Sequence, residues 1–249
     1  MKTFLQAFSF LTILPVGHPS LLEERELPRS MAFFPLVGLI IGLILALGHY
    51  LFSLLFAEPL ALWLSIGLLA LLTRGLHLDG FADTMDGLGC GGPRERVLVV
   101  MRDSRIGTFG VVGLILLIGA KYLALDQIPR AFIPYAFILM AVTGRNAMVL
   151  VCYRSPYARA EGGLAKPFTE NLGFREIAIS LASAFGIVLI VGGIHGAAAF
   201  AGVGLFSLAY RYFFIKKLGG VTGDILGGAN ELSELLCLLF LVVLEAIQL

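Results

Sequence analysis

The stretch from residue 31 to residue 57, MAFFPLVGLIIGLILALGHYLFSLLFA, runs for 27 residues without an Asp, Glu, Lys or Arg. About 20 apolar residues in helical conformation cross the hydrocarbon core of a bilayer, so this stretch predicts a transmembrane helix. Comparable or slightly shorter apolar runs occupy residues 59 to 76, 107 to 125, 131 to 153, 177 to 192, 194 to 214 and 231 to 249. The whole chain of 249 residues is 58% hydrophobic and only 14% charged, with a mean hydropathy of +0.92. Soluble domains carry about 25% charged residues, so a soluble globule is excluded, as are disordered and collagen-like chains. The expected fold is all-α: a single membrane-embedded domain over residues 1–249 with about seven transmembrane helices. The N-terminal segment, MKTFLQAFSFLTILPV, is too short to span comfortably and is expected to lie in the interface or to re-enter. No small-x-small cleavage site follows it. Cys90, Cys152 and Cys237 lack metal-ligand spacing and read as reduced thiols.

Orientation follows from Lys and Arg. With a cytoplasmic N-terminus and seven spans, fifteen of the eighteen basic residues fall on the cytoplasmic face and only Arg130 on the other, while Lys121 and Arg145 fall within spans. The polar loops at about 77–106, 154–176 and 215–230 then share the cytoplasmic side, where the function is expected to lie.

The first of these loops holds HLDGFADTMDGL. Asp79, Asp83 and Asp86 stand at i, i+4 and i+7, within about a 60° arc of a helix face. Three ionised carboxylates so placed repel one another unless a hard cation bridges them. An oxygen-only donor set favours Mg²⁺, or Mn²⁺ in its place, over zinc. His77 is the single imidazole nearby and is a candidate substrate contact. In MRDSRIGTFG, Arg102 and Arg105 flank Asp103, and Gly107 precedes the next span. Free amides at a helix start, with glycine access and two guanidinium groups, predict a phosphate cradle.

Lys121 lies 18 residues beyond Asp103, on the same helical face, and is expected to point into a cavity that Asp103 caps. A charge inside a span is costly unless it is paired or lines a polar cavity, and the same inference covers Arg145. A second acidic cluster, Asp224, Glu231 and Glu234, opens the last span, so the chain holds either two metal ions or one metal plus a hydroxyl-binding acid. The loop YRSPYARAEGGLAKPF, with Arg159, suits a lid over a large anionic, partly aromatic substrate. Together these residues predict transfer of a phosphate-linked group from an activated nucleotide to an alcohol, a reaction catalysed mostly by positioning and charge neutralisation. A lipid-forming phosphotransferase and a transporter are the rival classes. The transporter requires charge spread through the spans, and here only Lys121 and Arg145 lie deep.

HLDGFADTMDGL, MRDSRIGTFG and GGVTGDILGGANELSE, in this order and with these separations, resemble the cobalamin synthase family, the adenosylcobinamide-GDP ribazoletransferases. FLTILPV and PYAR extend the resemblance over nearly the whole chain. It implies a Mg²⁺-dependent, multi-pass enzyme of the cell inner membrane that joins adenosylcobinamide-GDP to α-ribazole or its 5′-phosphate and releases GMP. The lipid bilayer is its environment, nucleic acid is not among its partners, and a homo-oligomer stays open. The family's acidic motif falls on Asp79, Asp83 and Asp86, its Asp-Ser-Arg motif on Asp103, Ser104 and Arg105, and its Thr-Gly-Asp motif on Thr222, Gly223 and Asp224, followed by Glu231 and Glu234. The roles expected on this basis are metal ligation by Asp79 and Asp83, with Asp86 and Asp103 as further candidate ligands, and diphosphate neutralisation by Arg102 and Arg105. Lys121 or Arg145 steadies the leaving GMP, and Asp86 or Asp224 orients or deprotonates the ribazole hydroxyl. Ala165 stands where the family leads one to expect a second glycine.

Overall fold

A computed structural model describes residues 2–14 and 27–246, and among these it contains helices and no strand. After the short α1 (Lys2–Leu11) come α2 (Leu27–Ser30), a 3₁₀ turn, and α3 (Phe34–Ser53). The chain continues through α4 (Glu58–Leu72), α5 (Leu76–Gly89), α6 (Arg94–Val100), α7 (Thr108–Gln127), α8 (Ile133–Cys152), α9 (Lys166–Asn171), α10 (Phe174–Leu218) and α11 (Gly223–Ala246). Ten residues make α1 too short to span; it docks on the bundle, with Ile13 N–H donating to Leu72 O at 2.7 Å. Met1 and residues 15–16 of the expected N-terminal segment lie outside the described residues, as do the last three residues of the expected final span.

By length and apolarity five helices are able to cross a membrane: Leu27–Ser53, Thr108–Gln127, Arg130–Cys152, Phe174–Leu218 and Gly223–Leu244. The pair α4 and α5, bent by 90°, makes a sixth if taken as one broken span, so the expected seven is not reached by that measure. The difference lies at Gly193, whose φ of +55° and ψ of −140° interrupt α10. The rings of Phe185 and Phe200 stand 6.1 Å apart, where 15 residues of straight helix would separate them by about 22 Å. Residues 174–192 and 194–218 are therefore two arms of a hairpin. Gly193 serves as the corner because a backbone in this region is strained for any residue with a Cβ.

The expected polar loop at 77–106 is instead mostly helical. Gly89 faces Phe109, Met85 faces Gly113, and Leu78 lies with Ile118, so α5 runs antiparallel to α7. The break between α4 and α5 is made by Arg74 and Gly75, both at positive φ.

The best-covered helix is α8, whose span window is 89% buried. It packs antiparallel on α3 through Gly38 and Gly42 in GLIIG, a small-xxx-small face that lets two backbones approach. A Cβ built on Gly42 would lie 2.5 Å from Ile138 Cα. On its other side α8 meets α11 around a buried ionic network. Lys121 Nζ donates to Glu231 Oε2 and to Glu234 Oε2, both at 2.6 Å, and Arg145 Nη1 donates to Glu234 Oε1. Asn230 Nδ2 donates to Glu234 Oε1 at 3.0 Å. Two cations and two carboxylates cancel in charge, which allows all four to sit inside the bundle.

Gly42→Leu is expected to lower the melting midpoint in detergent, since overpacking costs about 1–3 kcal/mol. Gly67→Ala, at a glycine with nothing within 4 Å of a built Cβ, leaves the midpoint in place. Lys121→Met strips the two buried glutamates of a cation and is expected to cost about 3–5 kcal/mol, read as loss of folded protein on size-exclusion chromatography.

Candidate active site

One cavity collects polar groups from three parts of the chain. It lies between the start of α5, the end of α8, the start of α11 and the loop before α9, and Asp79, Asp224 and Arg159 line it together with His77 and Tyr157. The approach of α5 to α11 depends on Gly80: a Cβ there would lie 2.9 Å from Asp224 Cα and 3.3 Å from Gly227 Cα. Glycine at this contact brings Asp79 and Asp224, 145 residues apart in sequence, to one wall.

Arg159 is delivered by an ordered loop. Ala158 N–H donates to Val221 O at 3.0 Å and Val221 N–H donates to Pro156 O at 2.9 Å, a single β-bridge that fastens this loop to the turn before α11. Arg159 Nη2 then donates to Asp224 Oδ2 at 2.6 Å. Thr222 caps α11, accepting from Ile225 N–H at 3.3 Å, and donates to Asp224 Oδ2 at 3.2 Å. Burial pushes the Tyr157 hydroxyl above its ordinary range, so it remains a neutral donor. A brace that sequence reasoning missed is Arg94, whose Nε donates to Leu218 O at 2.6 Å and Nη2 to Ala158 O at 2.8 Å. A cation at the C-terminus of α10 satisfies its last carbonyls, but nothing in the order of residues tells which helix end Arg94 reaches.

Several expected site residues are placed elsewhere. Asp86 does not line the cavity with Asp79. Its oxygens accept from Gly107 N–H at 2.7 Å and Gly110 N–H at 2.8 Å. The free amides expected to cradle a phosphate at the start of α7 are thus already held by a carboxylate of the chain, because a helix N-terminus takes whichever anion is nearest. Asp103 stands apart as well. It is chelated by Arg105 at 2.8 and 3.1 Å, and this pair holds its carboxyl down to about 2. Arg102, Ser104 and Arg105 are exposed in the same turn. Lys121 does not point into a cavity capped by Asp103; its ammonium is taken up by Glu231 and Glu234. Arg145 and Glu234 are wholly buried, and none of these four network residues lines the cavity that holds Asp79 and Asp224.

Among the described residues no three His, Cys, Asp or Glu side chains are arranged to hold a metal ion by themselves. Asp79 and Asp224 line the cavity, and Asp83, one turn beyond Asp79, feels the charges of both, with Arg159 beside them. An oxygen-only set of this kind fits a hard cation that completes its shell from water and substrate phosphates, as Mg²⁺ commonly does. The three cysteines are unpaired thiols, with Cys152 and Cys237 buried.

Comparison with known proteins gives this geometry a family. The family model described as Cobalamin-5-phosphate synthase matches residues 3–242. A protein of Syntrophobacter fumaroxidans named adenosylcobinamide-GDP ribazoletransferase is 43% identical over 236 residues, which is 93% of this chain and 94% of that one. Proteins of the same name from Geotalea daltonii and Escherichia coli O17:K52:H18 are 39% and 38% identical, covering 98% and 97% of this chain and 98% and 99% of theirs. No solved structure matches the chain. With agreement from end to end, the acids and arginine gathered at one end of this bundle are those of a chain that belongs to the cobalamin-5-phosphate synthase family.

Proposed function

We propose that the chain transfers the phosphate-linked adenosylcobinamide group from adenosylcobinamide-GDP to α-ribazole, or to its 5′-phosphate, and releases GMP in the last step of cobalamin synthesis. The observation that carries this reading is the meeting of Asp79, Asp224 and Arg159 in one cavity of a membrane bundle whose relatives bear that activity in their names.

In the reaction the ribose oxygen of the acceptor forms a bond to the phosphorus that carries cobinamide. The bond from that phosphorus to the bridging oxygen breaks, and GMP leaves with the electron pair. In this scheme Asp224 orients the attacking hydroxyl and takes its proton. Its partner Arg159 neutralises the diphosphate, moving from the carboxylate to a phosphate oxygen when substrate enters. Asp79 and Asp83 would hold Mg²⁺ together with the diphosphate, and the ion would supply charge neutralisation on the oxygens of the displacement. Asp86 acts at one remove, fixing the start of α7 beside α5. A cytoplasmic site is favoured by the fifteen-to-one distribution of Lys and Arg and by the position of Arg94, Arg102, Arg105 and Arg159 at this end of the bundle.

Asp224→Asn is expected to lower GMP release by about 100-fold or more at an unchanged melting midpoint, the scale of a lost general base. A variant that keeps near-normal turnover removes Asp224 from the chemistry. Titrating Mg²⁺ separates Asp83 from Asp86 on α5. Asp83→Asn should raise the half-saturating Mg²⁺ concentration, whereas Asp86→Asn should leave it in place and lower thermal stability by the ~1 kcal/mol of a weakened cap.

A further inference from the structure

The cavity that holds Asp79 and Asp224 has a second, apolar wall that the phosphate chemistry does not use. Phe10 from α1, Phe34 from α3 and Phe168 from α9 meet there, with ring centroids 5.3, 6.2 and 6.3 Å apart. Met31 and Met148 fill the gaps between them, and methionine adapts to an irregular apolar shape. His77 stands in the same cavity at 2% exposure, and neither of its ring nitrogens has a hydrogen-bond partner. Buried polar groups are nearly always satisfied, and this imidazole, whose nitrogens are closed off from the cavity, has a hydrogen bond to give once its ring turns toward a ligand.

We propose that this wall seats the base of the acceptor: a flat, apolar nucleoside base with a single free ring nitrogen, stacked against Phe10, Phe34 and Phe168 and receiving a hydrogen bond from His77. This rests on the proposed transferase function and names the part of the acceptor that the cavity selects. The cavity of about 150 Å³ is on the scale of a small flat aromatic group. A corrin is far too large for it. A guanine edge presents several donors and acceptors, which an aromatic wall with one imidazole cannot satisfy, whereas the benzimidazole of ribazole presents one ring nitrogen. An imidazole in either tautomer has one N–H to give, so a base with one acceptor and no donor is the match. The ribose attached to a base on this wall lies toward the acidic side, where Asp224 meets the hydroxyl. Ala165 also lines the cavity, and its methyl group, where glycine would leave space, narrows the seat.

The test uses the full chain in nanodiscs with two readouts: GMP formation, giving KM for each substrate, and equilibrium binding of radiolabelled α-ribazole. Ala165→Leu fills the cavity without opening a void, and Phe168→Leu removes a ring. Each is expected to raise KM and Kd for α-ribazole by about 10-fold or more while KM for adenosylcobinamide-GDP stays within about twofold, the size of effect that pocket shape exerts on an apolar group. His77→Phe should weaken α-ribazole but not an analogue with C–H in place of the free ring nitrogen, and His77→Gln, which keeps a donor, should restore most of the affinity. Equal losses for both substrates, or unchanged α-ribazole binding in Ala165→Leu and His77→Phe, overturns the base site. Wild-type protein that binds α-ribazole yet releases no GMP refutes the transferase function and leaves the base site standing. Turnover in the wild type with variants that bind α-ribazole normally does the reverse, and wild-type protein that neither binds nor turns over refutes both.

Discussion

Lys121 and Arg145, set against Glu231 and Glu234 where three helices meet inside the bundle, are the constraint on which the rest of the bundle depends. A charge stranded in an apolar interior costs several kcal/mol, so α7, α8 and α11 cannot slide or rotate past one another without exposing a cation or a carboxylate to hydrocarbon. The network therefore sets the register of α11. Glu231 lies seven residues beyond Asp224, close to two helical turns, so fixing Glu231 against Lys121 fixes where Asp224 emerges. Charges that read as functional from their cost in a span thus pair with one another and hold the register of the end that carries Asp224.

Upon that anchor, small residues bring the working groups together. Gly38 and Gly42 seat α3 on α8, and Gly80 and Gly227 seat α5 on α11. The first contact assembles the scaffold and carries Phe34 to the cavity; the second closes the gap between Asp79 and Asp224. Asp86 shows the same economy with charge. An internal carboxylate takes the amides of Gly107 and Gly110, which ties α5 to α7. The cavity then has two walls of opposite character, acidic and basic on one side and aromatic on the other, which suits an acceptor that is itself a sugar alcohol joined to an apolar base.

The membrane class and most helices were legible in the sequence because apolar runs report burial in lipid directly. The family was legible because long motifs such as HLDGFADTMDGL tolerate few alternatives. The helix over 76–89 was legible only in part: its spacing set three aspartates on one helix face, but its glycines resemble loop punctuation, and its packing against α7 and α11 is what reveals its extent. Helical spacing grouped Asp79, Asp83 and Asp86 correctly on one face, but a face is a direction and carries no information about what stands opposite. Asp86 meets the amides of α7 where Asp79 meets the cavity, seven residues and two turns away. Arg94 and the aromatic wall of Phe10, Phe34 and Phe168 were invisible for the same reason, each being assembled from segments far apart in the chain.

By itself, then, the sequence determined a helical membrane protein of this family, with its scarce charges concentrated in a few segments, because hydropathy and local spacing are properties of neighbours along the chain. Only the tertiary structure decided which charges line the cavity and which pair with one another inside the bundle. A carboxylate's role depends on the partner it meets across space: Arg159 for Asp224, two backbone amides for Asp86, an ammonium for Glu231 and Glu234. That meeting is set by how closely glycine-faced helices approach and by the need to neutralise every charge buried in an apolar interior.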